Sequence, residues 1–490
     1  MRKFWLVLAA MLAPGMVVGG ALAAGPAQKD QSILDRLYAT TGVYNKSPAG
    51  KTPGFVSDPG WPAPLPHNWL LGQIGGLYVD SHDHIWIYNR PRTMTTDEAA
   101  LDTRGGDPSA GSNRKNGLGF ARPNGAVADC CNAAPSVLEF DTDGKLLRAW
   151  GGPADPGWLE SHCKASDGCI WPNSEHGIYV DANDNVWLAG NGAKPVDPNS
   201  SWTTHKEGGD GFVLKFDMNG NFKMRIGGTP NAPSSNDTNG GINGTPLLYL
   251  PADMVVDAKT NRLYVADGYG NRRVLIVDAN TGQYIGHFGA YGSNPVDDAA
   301  SAAAGRWVDD RLKGVKKPAF FRNPVHCVKI ADDGKIYVCD RGNDRIQVFD
   351  KNDPALGKPC SNPEGVAGKC GFLAEQWISG NTETIPAMPG TSVSLNFSKD
   401  KAQSCLYVGD NSNMTIYVLN RSNLQELARL GRSGRNAGQF HWLHQVSLDS
   451  HGNIYTAEVD TGKRIQKFVR YGAAGCSGTG STTVGGVAAQ

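Results

Sequence analysis

The chain has no charge of either sign to spare: Lys+Arg and Asp+Glu both number 47, for a formal net charge of zero. That excludes the basic face of a nucleic-acid binder and a polybasic membrane patch. After residue 23 there is no apolar run of the roughly 20 residues that a spanning helix needs. Cysteines spaced C-x-x-C, the mark of a zinc knuckle, are also missing. The ten cysteines instead form an even set suited to disulfides in an oxidising compartment. The closely spaced pairs Cys163/Cys169 and Cys360/Cys370 are the preferred bridges, and adjacent Cys130 and Cys131 either bridge each other or take separate partners.

What is present begins with MRKFWLVLAAMLAPGMVVGGALAAG. Arg2 and Lys3, an apolar stretch from Phe4 to Val18 and the small-x-small site Ala21-Leu22-Ala23 read as a secretory signal over 1–23. The expected location is periplasmic or extracellular. Gly is abundant, at 62 residues, which fits many short strands and tight turns.

Self-comparison then gives the architecture. A strand ending in Asp or a polar turn, followed by a second strand, recurs at 76–90, 177–190, 254–267, 327–340, 395–410 and 446–458. Third strands follow, such as VLEFD, VLIVD and IQVFD, and most units add a fourth, such as LLRAWG or ELARLG. Alternation and β-branched content mark strands, and the polar links mark hairpin turns. The fold expected is all-β: a six-bladed β-propeller of NHL-type repeats over 67–472, preceded by a Pro-rich extension over 24–66 and followed by a flexible tail over 473–490. The last unit lacks a fourth strand, so an N-terminal strand, NWLLG at 68–72, is expected to close the ring and remove the free sheet edges.

Aligning the units on the turn after the first strand exposes a second pattern. His176 and His444 lie five residues before Asp181 and Asp449, and His326 lies five before Ala331. The other units carry Gly75, Ala252 and Val393 there. A lone His near a strand start is more often a hydrogen-bonded structural residue. With 11 histidines in 490 residues, however, such placement in every second unit is roughly a one-in-a-thousand coincidence. Alternate blades stand about 120° apart and their first strands line the channel, so three imidazoles would meet on the axis, as around a catalytic zinc ion. His441 lies nearby but off the pattern, and is a possible pocket residue along with Trp442. The ends of the second strands open on the same face and offer Arg90, Tyr269 and Arg341, with Asn191 and Asn411 in other units. Arg clamps carboxylates through paired hydrogen bonds, and its positive neighbours make Tyr269 the candidate base. The blander reading has Arg90 and Arg341 pairing with blade carboxylates such as Asp340.

These stretches carry a resemblance. FRNPVHCV, DGYGNRR, CDRGNDRIQVF and FHWLH, with LGQIGGLYVD followed by YNRP, resemble the peptidylglycine α-amidating lyase (peptidylamidoglycolate lyase) family over about residues 67–472. The resemblance implies a zinc ion on His176, His326 and His444, a catalytic Tyr269 and pocket arginines Arg90 and Arg341. It also implies a structural calcium held by the carbonyls of Leu77 and Ile178 and by a carboxylate, where this chain has Gln445. Other departures are Trp442 for a family Met, Gly270 for a Cys, and Tyr337 and Val348 for a Cys pair. The implied activity is cleavage of the N–Cα bond of an N-acyl or peptidyl α-hydroxyglycine, giving an amide and glyoxylate. The partner would be a small-molecule or peptide substrate, the enzyme a monomer, and the hydroxylated substrate the product of another protein. The alternatives are a propeller hydrolase or lactonase, which would hold its ion with carboxylates and Asn, and a non-enzymatic NHL-repeat binding protein.

Overall fold

A computed structural model describes residues 51–95, 98, 130–193, 208–296, 318–378 and 390–477. The proposed signal at 1–23 and parts of four of the long connections between units lie outside these residues.

Six four-stranded antiparallel sheets follow one another along the chain. Blade 1 comprises Gln73–Val79, Ile85–Arg90, Val137–Phe140 and Leu146–Trp150. Blade 2 runs from Glu175–Val180 to Phe222–Gly228, blade 3 from Asp253–Asp257 to Tyr284–Phe288, and blade 4 from Val325–Ile330 to Phe372–Trp377. Blade 5 runs from Ser392–Phe397 to Glu426–Leu430, and blade 6 begins with Leu443–Leu448, Ile454–Glu458 and Ile465–Gly472. The molecule is a six-bladed β-propeller. Apolar side chains on the two faces of each blade pack against the neighbouring blades, as where Val338 and Phe349 of blade 4 join the buried cluster of Met254, Val265 and Leu275 of blade 3. The ring meets itself between blades 6 and 1, where the Val79 amide donates to Ser447 Oγ at 3.1 Å.

An N-terminal strand does complete blade 6, but it is Pro53–Asp58, not 68–72. Pro53 faces Gly472 and Asp58 faces Lys467 in an antiparallel pairing. Trp69–Leu70 instead forms a short parallel pair with Asn132–Ala133. The propeller therefore starts at least fourteen residues earlier than the sequence pattern placed it (53 against 67). The tail also needs correction at its start. Cys476 is bridged to Cys405, and the Ser477 amide donates to the Lys51 carbonyl at 2.9 Å, so residues 473–477 are tied to the ring.

All ten cysteines are paired: Cys130–Cys131, Cys163–Cys169, Cys327–Cys339, Cys360–Cys370 and Cys405–Cys476. The two local pairs and the vicinal bridge are among those read from spacing. The bridge with most leverage on the unfolded chain is Cys405–Cys476, whose ends are 71 residues apart. Loop-closure entropy for that span is worth about 4 kcal/mol. The double substitution Cys405→Ser/Cys476→Ser is expected to lower the denaturant midpoint accordingly, with the m-value rising as the unfolded chain expands. A midpoint equal to that of the parent chain would refute this.

Buried ion pairs fix the turns that carry Tyr269 and Arg341. In blade 3, Asp267 ends the second strand and Arg273 begins the third, and Arg273 Nε donates to Asp267 Oδ2 at 2.9 Å. Blade 4 repeats this with Asp340 and Arg345 at 2.7 Å. All four side chains are fully buried. Such pairs add little net stability, but removing one partner strands a buried charge.

Candidate metal centre

The histidines occupy equivalent places: each is the second residue of its blade's innermost strand, in Glu175–Val180, Val325–Ile330 and Leu443–Leu448. Each also coincides with a break in pairing to the second strand, between Glu175 and Ile178, between Val325 and Cys327, and between Leu443 and Gln445. A bulge releases one residue from the ladder and re-aims its side chain. The blades supplying Gly75 and Val393 have the same irregularity, so the bulge belongs to the repeat and the imidazole is what alternate units add.

The three rings converge on the axis. Their centroids are 5.0 Å (His176–His326), 4.8 Å (His176–His444) and 4.8 Å (His326–His444) apart. One nitrogen from each lies within 4.8 Å of the others, and all three residues are buried. His176 Nδ1 donates to the carbonyl of Ala252 at 2.7 Å, and His326 Nδ1 to that of Val393 at 2.5 Å. Those carbonyls belong to the matching position of the next blade. This fixes the tautomer and leaves Nε2 of both rings as lone-pair donors, the usual outer-shell arrangement of a metal-binding His. His444 Nδ1 is buried without a hydrogen bond among the described residues. A site with this many buried, unprotonated imidazole nitrogens fits a divalent ion such as zinc. Gly75 leaves room for the cage: a Cβ there would come within 2.2 Å of the Glu175 carbonyl, beside His176.

Burial holds all three imidazoles well below their ordinary value of 6.5, and nearby Arg90 and Arg341 push the same way. His287 in blade 3 is lowered to about 4 by burial and by Arg273. Groups lowered in the folded state leave the unfolded chain binding more protons below pH 6.5. Their contribution is therefore intact above about pH 6.5 and lost as pH falls toward 4. Thermal melts of the chelated protein are expected to show a falling midpoint across that window, and a flat profile would contradict the assignment.

Tyr269 stands directly over the rings. Its hydroxyl lies 3.1 Å from His176 Nε2, 2.9 Å from His326 Nε2 and 3.1 Å from Arg341 NH1. The turn that carries it is anchored on both sides. Its amide donates to the Leu250 carbonyl at 3.1 Å, and Asn271 Nδ2 donates to Asp267 Oδ2 at 2.7 Å. Gly268 is required there, because a Cβ would sit 1.9 Å from the Val325 carbonyl.

The arginines do not take the bland role. Asp340 is paired with Arg345, and among the described residues no carboxylate lies within ion-pair distance of Arg90 or Arg341. Arg341 NH2 donates to Asn411 Oδ1 at 3.3 Å, while Arg90 NH2 reaches Asn191 Oδ1 at 3.4 Å. Each Asn comes from the next blade and from the place equivalent to its arginine. Arg90 is also held by the Glu175 carbonyl at 2.5 Å and Gln73 Oε1 at 3.1 Å, whereas Arg341 Nε is buried without a partner among the described residues. Two fixed cations without carboxylate partners among the described residues, beside three imidazoles, make a pocket suited to an anion.

His441 and Trp442 lie just before the innermost strand of blade 6. The His441 amide donates to Glu458 Oε2 at 2.8 Å, and the Trp442 amide points at Met414 Sδ at 3.0 Å. Trp442 has φ +60°, a left-handed conformation that a bulky residue rarely adopts, stored beside the site. Leu77 and Ile178 lie within the innermost strands of blades 1 and 2, and the buried Gln445 accepts at Oε1 from the Ser394 hydroxyl at 3.0 Å. The part of the site that sequence reading missed is Gln73 and the Asn–Arg pairing; the only signal for the latter was the shared repeat position of Asn191 and Asn411.

Comparison with known proteins gives relatives of low identity. The NHL repeat family matches residues 325–349, the first three strands of blade 4. Peptidyl-glycine alpha-amidating monooxygenase B of Xenopus laevis is 24% identical over 282 residues, covering 54% of this chain and 27% of that protein. NHL repeat-containing protein 3 of Mus musculus is 26% identical over 230 residues, covering 46% of this chain and 48% of that protein. The chain thus spans about a quarter of the first relative and about half of the second. A streptogramin B lyase structure superposes with a TM-score of 0.42 at 11% identity, covering 87% of this chain and 100% of that one.

Proposed function

We propose that the chain is an exported, zinc-dependent carbon–nitrogen lyase acting on N-acyl or peptidyl α-hydroxyglycines. The observation that carries this reading is the meeting of three imidazoles, the Tyr269 hydroxyl and two arginines that have no carboxylate partner among the described residues. The low-identity kinship with an amidating monooxygenase supports the substrate class, and the disulfides are compatible with an exported protein.

His176, His326 and His444 would hold the zinc, which supplies a Lewis acid for the substrate's hydroxyl oxygen. Arg341, with its unused Nε, binds the carboxylate, and Arg90 adds a fixed positive field from across the mouth. Tyr269 Oη takes the hydroxyl proton. As the C=O of glyoxylate forms, the N–Cα bond breaks and its electron pair goes to the amide nitrogen. Acting as the phenolate, Tyr269 becomes the phenol on taking that proton and then delivers it to the leaving nitrogen, so the proton balance closes and Tyr269 returns to its starting state. The arginines and the cage pre-position the hydroxyl against the phenol, which lowers the entropic part of the barrier. Calcium is left out of the proposal: Gln445 is neutral and its Oε1 already accepts from Ser394. A lactonase would need carboxylates on the axis, and the asparagines at the mouth instead accept hydrogen bonds from the arginines.

The test is metal analysis of the purified mature protein combined with a glyoxylate assay on α-hydroxyhippurate. The expected result is one equivalent of zinc at the triad and stoichiometric glyoxylate and benzamide. Metal-free protein with no turnover, or ester hydrolysis without glyoxylate, would overturn the reading.

A further inference from the structure

In four of the six blades the turn after the first strand is built on one aspartate: Asp80, Asp181, Asp257 and Asp449. In blade 2, Asp181 accepts from the amides of Asn183 and Asn185 and from Trp187 Nε1, at 2.9, 3.0 and 2.8 Å. Asn185 Nδ2 also donates to Asp181, and Lys215, paired across the strands with Trp187, lays its ammonium 4.7 Å from the Trp187 ring centre. Blade 6 repeats the set with Asp449, Asn453 and Lys467, the last facing Tyr455. In both blades the trio is Asp, Asn, Lys: one carboxylate balanced by one ammonium.

Blade 1 keeps the aspartate and changes the other two. Asp80 accepts from the amides of His82 and His84 and from Trp86 Nε1, at 2.8, 2.9 and 2.8 Å. The Asn place is His84, and the Lys place, opposite Trp86, is Glu139. Both changes replace a hydrogen-bond donor by a metal-ligating group and turn a balanced site into an acidic one. Glu139 is fully buried. Its Oε2 accepts from Arg148 at 2.5 Å, but among the described residues its Oε1 makes no hydrogen bond, and neither does His84 Nδ1. The two atoms lie 2.7 Å apart without being aligned as donor and acceptor, as lone pairs directed at a common third point would be. Asp80 Oδ2 is 3.9 Å from the same nitrogen, and the three ligand atoms fall within 4.8 Å of one another. Trp86 uses one lone pair of Asp80 Oδ2 and leaves the second open.

We propose that Asp80, His84 and Glu139 form a second divalent-cation site, separate from the triad. One imidazole and two carboxylates suit a first-row ion of intermediate softness such as zinc or manganese. The hydrogen bonds to Asp80 and the Arg148 contact on Glu139 hold the ligands in place, as outer-shell partners do. The His84 ring borders solvent at 29% exposure, while its Nδ1 faces inward beside the buried Glu139 Oε1. His82, 51% exposed and 3.6 Å from Asp184 of the neighbouring turn, stands at the rim. The site lies at the far end of blade 1's innermost strand. Asp80 is five residues beyond Gly75, the position matching the triad, or roughly 16 Å along the strand. An ion there would brace the turn face of the propeller without touching the chemistry.

The experiment is equilibrium dialysis of the full chain against Zn2+, with bound metal counted per chain. The parent protein is expected to bind one equivalent more than His84→Asn/Glu139→Lys, a double variant that installs the residues blades 2 and 6 already tolerate. His444→Ala is expected to retain the blade 1 ion, so this arm reads out whether or not the triad binds zinc. Glu139→Gln should weaken the site at least tenfold while leaving glyoxylate release unchanged. Equal stoichiometry in the parent and the double variant, or no zinc on His444→Ala, would overturn the proposal and leave a His84–Glu139–Arg148 ion pair.

Discussion

His326→Ala is expected to strip the channel of its metal and reduce glyoxylate release to background. His326 closes the triangle with His176 and His444 at 5.0 and 4.8 Å, so its loss leaves two ligands where a zinc site needs three. Losing a Lewis acid worth several kcal/mol corresponds to a fall of roughly 10³-fold or more in kcat. The fold should survive. His326 is one residue in a bulge, and its chief structural partner is the Val393 carbonyl, whose loss costs about 1 kcal/mol. Metal content, turnover and a thermal melt are read together. Retained metal with retained activity would detach the triad from the chemistry, and a collapsed melt would make it a packing feature.

Tyr269→Phe separates the base from the cage. The ring would keep its packing against His176 and His326, whose centroids are 4.9 and 5.4 Å away, while the hydroxyl that reaches two imidazoles and Arg341 disappears. The expected outcome is a drop in kcat of about 10²–10⁴-fold, the usual worth of a positioned proton acceptor. Metal content should be unchanged and KM should shift little, because Arg341, the proposed carboxylate site, remains. A variant that loses metal instead would make Tyr269 a ligand or a prop for the cage. A variant with full kcat would remove the proton step from it altogether.

Much of this architecture could be read from the chain because a repeat prints the same physics several times. Six copies of one strand pair define the blades, and a polar residue recurring where inner strands are otherwise small or apolar picks out His176, His326 and His444. The bulge that turns those rings inward was not legible, since it depends on how two strands pair and leaves no mark of composition. The closing strand was misplaced for a related reason. PGFVSD starts with Pro and Gly, which read as punctuation, yet Pro53 opens an edge strand, where a missing N–H is tolerated. NWLLG is the more apolar stretch, and only Trp69–Leu70 of it forms strand, with a partner more than sixty residues away (Asn132–Ala133). Cys327–Cys339 and Cys405–Cys476 were likewise beyond reach, since connectivity depends on a fold that spacing alone does not give. Arg341 and Asp340 are neighbours in sequence and invite a pairing that the geometry gives to Arg345.

The closing blade has a consequence for biosynthesis. It is made from the first described strand and the last three, and it carries His444. A nascent chain emerging N-terminus first can assemble five units while Pro53–Asp58 waits without a neighbour to hydrogen-bond. Only when the final stretch arrives does that waiting strand dock and the third imidazole swing into place. A product stopped short of Leu443–Leu448 would then lack both a shut ring and the third imidazole of the triad.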